Sequence, residues 1–226
     1  MIKIETHCHT SPASNCAKVN VRDTLTTLKE HGYDGVCITN HYTYYDCIPR
    51  SNRMIFERVL ADFEEARNIA PEIGIKVFFG AELRFYENAN DYLLYGLTPR
   101  ELFDLGSVYE LDPERFYKIK PKHAVFYQAH PFRINMFRAD PRFLDGVEVY
   151  NGHPGHESSN ELALKWAKEH NKLMISGSDF HQTVAAGAAG IYVEKMPENE
   201  RELAFMLKTG AFTMITPKWE NTDIIV

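Results

Sequence analysis

The stretch MIKIETHCHT (residues 1–10) decides the fold. Apolar and polar residues alternate through it, which predicts a β-strand from Met1 to His9. Because successive side chains of a strand point to opposite faces, Glu5, His7 and His9 project to the same side. Two imidazoles at this spacing can reach one metal ion. Glu5 is placed either to accept a hydrogen bond from one of these rings or to be a surface carboxylate.

The same arrangement, a strand followed by a histidine or an acid, recurs along the chain. Four further predicted strands are Gly35–Thr39, Val77–Ala81, Ala124–Ala129 and Leu173–Ser176. The residues that follow them are His41, Glu82, His130, Asp179 and His181. Any one of these histidines alone would more often be structural than a ligand. Because the pattern repeats at four strand ends besides the first, the sequence predicts a polynuclear metal site.

Helical segments separate these strands. The predicted helices are Val21–His31, Ser51–Ile69 (which Pro71 and Gly74 are expected to end), Asn160–His170 and Glu200–Leu207, and the other predicted strands are Tyr92–Tyr95, Gly146–Tyr150 and Ile191–Val193. Alternating strands and helices indicate an α/β fold with a largely parallel sheet. Polar residues at successive strand C-termini favour a closed barrel of seven or eight strands over an open sheet. We expect one domain over residues 1–226, with helices and loop at 98–121.

The composition narrows the class of function. A formal net charge of −6 argues against a general nucleic-acid binder, which normally has a basic surface. The four cysteines, Cys8, Cys16, Cys37 and Cys47, form no CxxC pair, so a zinc ribbon is not expected. No signal peptide and no apolar stretch of roughly 20 residues stands out, and we therefore expect a cytoplasmic protein that does not bind membranes.

Several polar residues beside these strand ends are candidates for substrate contacts. Arg133 is the first candidate for a bidentate phosphate contact, with a salt bridge on the barrel rim as the alternative. Arg84 is a second candidate, and it could instead pair with Glu82. Asn151 is placed to orient a substrate, although Asn-Gly is also an ordinary turn signal. His156 could bind metal or substrate, but an exposed loop histidine is the more common case.

The ordered set of motifs resembles the PHP (polymerase and histidinol phosphatase) superfamily. The motifs are ETHCHT (5–10), ITNH (38–41), GAE (80–82), QAHPFR (128–133), GVEVYNG (146–152) and GSDFH (177–181). The resemblance spans nearly the whole chain and is weakest from Thr98 to Lys122. It implies a distorted (β/α)7 TIM-like barrel that holds two or three ions, usually zinc, manganese or iron, and that hydrolyses phosphoesters.

The resemblance also implies a role for each matched residue. The first metal would be bound by His7, His9, Glu82 and Asp179, with Glu82 bridging to a second metal at His130, and with His41 and His181 holding a third. Many relatives carry an Asp or His five or six residues after the HxH pair. Here that stretch is Ser14-Asn15-Cys16, and Cys16 or water is the available substitute. Asp91 similarly stands near the position of a family histidine that follows the GxE glutamate.

A small phosphate monoester, hydrolysed by metal-activated water, is the function that these residues favour. Imidazole with carboxylate suits zinc, manganese or iron better than magnesium or calcium, and two such ions can clamp a phosphoryl group. The alternatives are an amidohydrolase-type enzyme for C–N or C–O bonds, a nuclease or nucleotide phosphatase, and a metal-binding module without activity. Amidohydrolases commonly use a modified bridging lysine, whereas Glu82 stands at that strand end. The sequence has no long basic or aromatic groove motif of the kind that would favour a nuclease.

Overall fold

A computed structural model describes residues 1–46 and 51–217 of the protein. Cys47 and the last nine residues therefore lie outside the described part. The strands are β1 (Ile2–Cys8), β2 (Gly35–Ile38), β3 (His41–Tyr42), β4 (Lys76–Arg84), β5 (Asp91–Tyr95), β6 (Val125–Gln128), β7 (Gly146–Asn151), β8 (Leu173–Gly177), β9 (Gly190–Val193) and β10 (Thr213–Ile215). The helices are α1 (Val21–Glu30), α2 (Asn52–Ile73), α3 (Pro99–Asp104), α4 (Pro113–Ile119), α5 (Asn160–Glu169) and α6 (Glu200–Thr209).

All these strands belong to one sheet, in the order β10-β9-β1-β2-β4-β5-β6-β7-β8, with β3 beside β4. The runs β1-β2-β4 and β6-β7-β8 are parallel, whereas β5, β9 and β10 are antiparallel to their neighbours. The sheet curls until its first and last parallel strands meet. There the His9 N–H donates to the carbonyl of Phe180 (2.9 Å), and the Phe180 N–H donates to the carbonyl of His7 (3.0 Å). The predicted barrel is thus confirmed as a nearly closed one.

The helix α2 is longer than the sequence pattern predicts. It continues through Pro71 to Ile73 and ends at Gly74, whose φ of +76° closes the last turn. The prediction that the helix stops at Ile69 was wrong. Proline lacks an amide hydrogen, but in the last turn this removes a single backbone hydrogen bond. Glycine adopts the left-handed conformation without a steric penalty, so it is the residue that ends the helix.

One end of the barrel is covered by α6. Leu203 and Leu207 of this helix belong to one buried cluster with Ile4, Phe78 and Val125, which lie in the first halves of their strands. The packing places α6 at the amino ends of the parallel strands, so the carboxyl ends remain available for a site. No helix within the described ranges is long and apolar enough to cross a membrane.

Candidate metal centre

The carboxyl ends of the parallel strands bring the predicted ligands together. The Nε2 atoms of His7 and His9, from β1, are 3.1 Å apart. The Nε2 atom of His7 also lies 3.2 Å from Oε1 of Glu82 in β4 and 3.3 Å from Oδ1 of Asp179, which follows β8. His130, which follows β6, places its Nε2 3.3 Å from the same Glu82 oxygen. All five side chains are buried.

Four overlapping groups of possible metal ligands result among residues 1–46 and 51–217. They are His9–His41–His181, His7–His9–Asp179, His7–Glu82–His130 and His41–Glu82–Asp91, and the ligand atoms within each group lie within 4.8 Å of one another. These groups share His7, His9, His41 and Glu82, so they form one continuous cluster, called here the histidine–carboxylate cluster. It contains all seven residues predicted as metal ligands, together with Asp91. Two of the groups contain Glu82, as expected of a bridging carboxylate.

The residues of the histidine–carboxylate cluster fit divalent transition-metal ions. Oε1 of Glu82 lies close to two imidazole nitrogens, yet no described residue donates a well-oriented hydrogen bond to it. A buried carboxylate oxygen without such a donor is costly unless a cation compensates it. Imidazole nitrogens and carboxylate oxygens are the ligands that zinc, manganese and iron prefer.

Electrostatics keep Glu82 and Asp179 ionised. Burial opposes charge on His7, but the nearby carboxylates of Glu148, Asp179 and Glu82 outweigh it and hold the pKa of His7 well above its usual value. Burial would raise the pKa of Glu82, but His41 and His7 hold this pKa well below its usual value. The pKa of Asp179 is likewise well below normal, since His7 and its hydrogen-bonding neighbours overcome the effect of burial. Glu82 and Asp179 are therefore anionic, and their charge favours the binding of cations.

The acid that holds the His7 ring is Glu148, whereas the sequence suggested Glu5 for this role. Oε1 of Glu148 accepts a hydrogen bond from Nδ1 of His7 at 2.8 Å. Glu5 instead accepts three backbone N–H groups, from Thr6 and His7 at 2.9 Å and from Ser178 at 3.0 Å. Both alternatives for Glu5, a ring contact and a surface position, were wrong, because it is fully buried and ties β1 to the turn after β8. Burial raises the pKa of Glu5.

The sequence contains a signal that points to Glu148. This residue interrupts the apolar run Gly146–Val149 in the middle of β7, where every residue is buried. A carboxylate in such a strand requires hydrogen-bond donors or a cation. Besides the His7 ring, Glu148 accepts the His130 N–H and the Asn151 Nδ2, both at 3.0 Å. It therefore links three elements of the site.

Arg133 and Asn151, the residues predicted to contact a substrate, lie beside the histidine–carboxylate cluster. The Nη2 atom of Arg133 donates to Oδ2 of Asp179 at 2.7 Å and to Oδ1 of Asn151 at 3.0 Å. The Nε atom of this guanidinium is buried and has no partner among the described residues. Arg84 pairs with Asp91 through two contacts of 2.6 and 2.7 Å and not with Glu82. Asp91 thus enters the cluster with its charge already compensated.

Cys16 and His156 lie at the edge of the site. The Sγ atom of Cys16 is 3.0 Å from Nε2 of His181, but Cys16 belongs to none of the four ligand groups found among the described residues. Burial raises the pKa of Cys16, but hydrogen bonds from His181 and His41 outweigh this and lower the pKa to about 6. His156 is exposed and contacts His153, whose ring centroid lies 5.5 Å from that of His181. The His153 side chain therefore lies between His156 and the cluster.

Solved structures share this fold at low sequence identity. A two-domain protein from Bacteroides vulgatus ATCC 8482, containing a predicted PHP-like metal-dependent phosphoesterase, is 18% identical with a TM-score of 0.66; the match covers 95% of this chain and 64% of that protein. PsfC from Pseudomonas syringae PB-5123 is 16% identical with a TM-score of 0.68, covering 96% and 92%. An amidohydrolase from Chromobacterium violaceum, with bound sulfate and no metal, is 15% identical with a TM-score of 0.54, covering 95% and 98%.

No curated protein matches the chain. The family model of the PHP domain, however, matches residues 5–188, which contain every residue of the histidine–carboxylate cluster. This match covers most of the chain and agrees with the barrel and with the order of the motifs along it. The chain therefore belongs to the PHP domain family.

Proposed function

We propose that the protein is a metal-dependent hydrolase of small phosphate monoesters. The observation that carries this proposal is the guanidinium of Arg133 beside the histidine–carboxylate cluster. Its Nη2 is held by Asp179 and Asn151, while the buried Nε has a hydrogen to donate and no partner among the described residues. A guanidinium in a fixed orientation suits the oxygens of a phosphate group. A neutral amide or lactone has no comparable need for this cation.

The residues that would hold the ions are those of the cluster, and zinc, manganese and iron fit its ligands. Bound divalent ions supply Lewis-acid stabilisation of the phosphoryl charge and activation of water. The protein's own residues orient the ligands and the substrate: Glu148 holds the His7 ring, and Asn151 contacts both Glu148 and Arg133. Arg133 is 12% exposed, so its guanidinium can be reached from solvent without being fully hydrated.

Two other activities compete with this proposal. An amidohydrolase from Chromobacterium violaceum has the same fold, so the fold alone does not select the bond that is cleaved. A nuclease would require a surface that attracts a long polyanion, and the net charge of −6 does not favour one. The phosphate contact offered by Arg133 supports a phosphate ester over an amide or lactone, and the net charge supports a small substrate over a nucleic acid.

A substrate screen tests the proposal. The protein is assayed with added manganese, zinc or iron on a panel of phosphate monoesters, phosphodiesters, lactones and amides. We expect turnover on monoesters, and we expect His7→Ala and Asp179→Ala to lose both metal and turnover. His31→Ala, which changes an exposed histidine after α1, is the matched control and should retain both. Preferred turnover of lactones or amides, or bound metal without turnover of any ester, would refute the assignment.

A further inference from the structure

A buried chain of polar side chains leads away from His9 to a carboxylate on α2. Nδ1 of His9 lies 3.1 Å from Oγ of Ser14, which lies 2.9 Å from Oδ1 of Asn40. The other end of the Asn40 amide, Nδ2, is 2.7 Å from Oγ1 of Thr10, which is 2.6 Å from Oδ2 of Asp62. All five side chains are buried. The motifs that indicate the metal ligands do not explain Thr10, Ser14 or Asp62.

The donors and acceptors of this chain can be assigned from the Asp62 end. Oδ2 of Asp62 accepts the Ala13 N–H, and the Thr10 hydroxyl donates its single proton to the same oxygen. Thr10 must then accept from the Asn40 amide nitrogen, which turns the Asn40 carbonyl towards Ser14. Ser14 donates its only proton to that carbonyl. Its oxygen is therefore left to accept from Nδ1 of His9.

Backbone N–H groups support this assignment independently, since they can only donate. The Thr10 N–H lies 2.8 Å from Oδ1 of Asn40, which confirms the orientation of the amide. The His41 N–H lies 3.0 Å from Oγ of Ser14, and the Ala13 N–H lies 3.1 Å from Oδ2 of Asp62. Three of the four acceptors in the assignment therefore face a donor whose direction is fixed by the backbone: Asn40 Oδ1, Ser14 Oγ and Asp62 Oδ2.

We propose that Asn40 and Asp62 are positioning residues that fix the tautomer of His9. The proton stays on Nδ1, so Nε2 presents its lone pair to the histidine–carboxylate cluster, where His7 Nε2 is 3.1 Å away. Without the Asn40 carbonyl, the Ser14 hydroxyl would donate to Nδ1 of His9 and the ring proton would move to Nε2, where it blocks metal binding. This inference rests on the proposed function of the cluster as a metal site.

Protein labelled with ¹⁵N-histidine and freed of metal by a chelator gives the direct test, because imidazole nitrogen shifts distinguish the two tautomers. We expect His9 to carry its proton on Nδ1 in the wild type and on Nε2 in Asn40→Leu, a variant of similar size without the carbonyl. Zinc affinity, measured by competition with a chromophoric chelator, should fall about 10–100-fold in Asn40→Leu, as is typical when support of a ligand is lost.

The Asp62 end of this series of hydrogen bonds is tested with a pair of variants. Asp62→Asn keeps an oxygen that can accept from Thr10 and Ala13, and we expect the wild-type tautomer and zinc affinity. Asp62→Leu removes that acceptor and should move part of the His9 population to the Nε2 tautomer, with weaker zinc binding. Ser14→Ala serves if Asn40→Leu does not fold: it removes a single hydroxyl and should abolish the preference for Nδ1.

An unchanged tautomer in Asn40→Leu and Ser14→Ala would overturn the inference, even if their zinc affinity fell, because the residues would then be only structural. Since the tautomer is measured in metal-free protein, this result does not depend on the enzymatic reaction. A wild-type protein with the Nδ1 tautomer that does not bind zinc, manganese or iron would instead refute the proposed function and leave the tautomer assignment standing.

Discussion

Replacing Glu148 by glutamine changes a single acceptor oxygen into an NH2 group at the centre of the site. In the wild type three donors converge on this carboxylate: His7 Nδ1 at 2.8 Å on Oε1, and the His130 N–H and Asn151 Nδ2, each at 3.0 Å, on Oε2. Glutamine offers one acceptor oxygen for these three donors. Neither orientation of its amide can satisfy all of them.

The two orientations have different costs. If the glutamine oxygen faces His7, the His130 N–H and the Asn151 amide face an NH2 group, and an unsatisfied buried donor costs about 1–3 kcal/mol of folding free energy. If the amide is reversed, its NH2 group faces Nδ1 of His7, which must become an acceptor. The neutral His7 ring then carries its proton on Nε2, which faces the histidine–carboxylate cluster. We expect zinc affinity to fall about 10–100-fold, equivalent to about 1.4–2.8 kcal/mol.

Two measurements on Glu148→Gln check this reasoning. Urea unfolding of the metal-free protein measures the stability term, and chelator competition with zinc measures the affinity term. Glu64→Gln, which changes an exposed glutamate in the middle of α2 by the same atoms, is the matched control and should change neither quantity. If Glu148→Gln matched the wild type in both, Glu148 would not support His7 and the explanation given for this ring would be wrong.

Three other substitutions or treatments test neighbouring parts of the site. In Gly177→Ala the new Cβ would lie 2.5 Å from Cβ of His7 and 2.9 Å from Oε1 of Glu148, so urea unfolding should show a loss of about 1–3 kcal/mol; unchanged stability would contradict this packing. Arg133→Lys should lower kcat/KM for phosphate monoesters about 10–100-fold, and an equal loss on a neutral ester would contradict a phosphate contact. In chelator-treated protein, iodoacetamide should alkylate Cys16 faster as the pH rises, because the thiolate is the form that reacts. The midpoint of this rise should lie near the Cys16 pKa of about 6. A midpoint near 9, measured by peptide mapping, would refute the lowered pKa.

The positions of the candidate metal ligands could be predicted from the sequence because they depend on local pattern alone. His7 and His9 lie on one face of β1 by strand periodicity, and Glu82, His130 and Asp179 each stand at or just beyond the end of a strand. In a barrel the carboxyl ends of parallel strands meet, whatever the details of the loops. Strand ends and strand alternation were therefore sufficient to predict both the barrel and the residues that converge at its end.

The supporting contacts could not be predicted in the same way. His7 and Glu148 are 141 residues apart, and which acid meets the ring depends on the order of strands around the barrel. Strand periodicity could not reveal that the pairing of β1 with β2 is irregular between Glu5 and Cys8, or that Glu5 accepts backbone N–H groups there. The Arg84–Asp91 pair, by contrast, could have been predicted from the sequence, since the two residues face each other across the β4–β5 hairpin.

Two of the candidate ligands have backbone conformations that the sequence pattern does not predict. His130 has a φ of +28° and Asp179 a φ of +53°, although neither is a glycine. A residue in this region costs on the order of 1–3 kcal/mol, and such residues concentrate at functional sites. Each turns the chain sharply after a strand. The surrounding contacts hold both conformations in place: Glu148 accepts the His130 N–H, and Arg133 donates to Asp179. The backbone after β6 and after β8 is therefore locally less stable, but its conformation directs these two side chains into the cluster. The same contacts that stabilise the unfavourable conformations also connect the cluster to Arg133, where a substrate phosphate would bind.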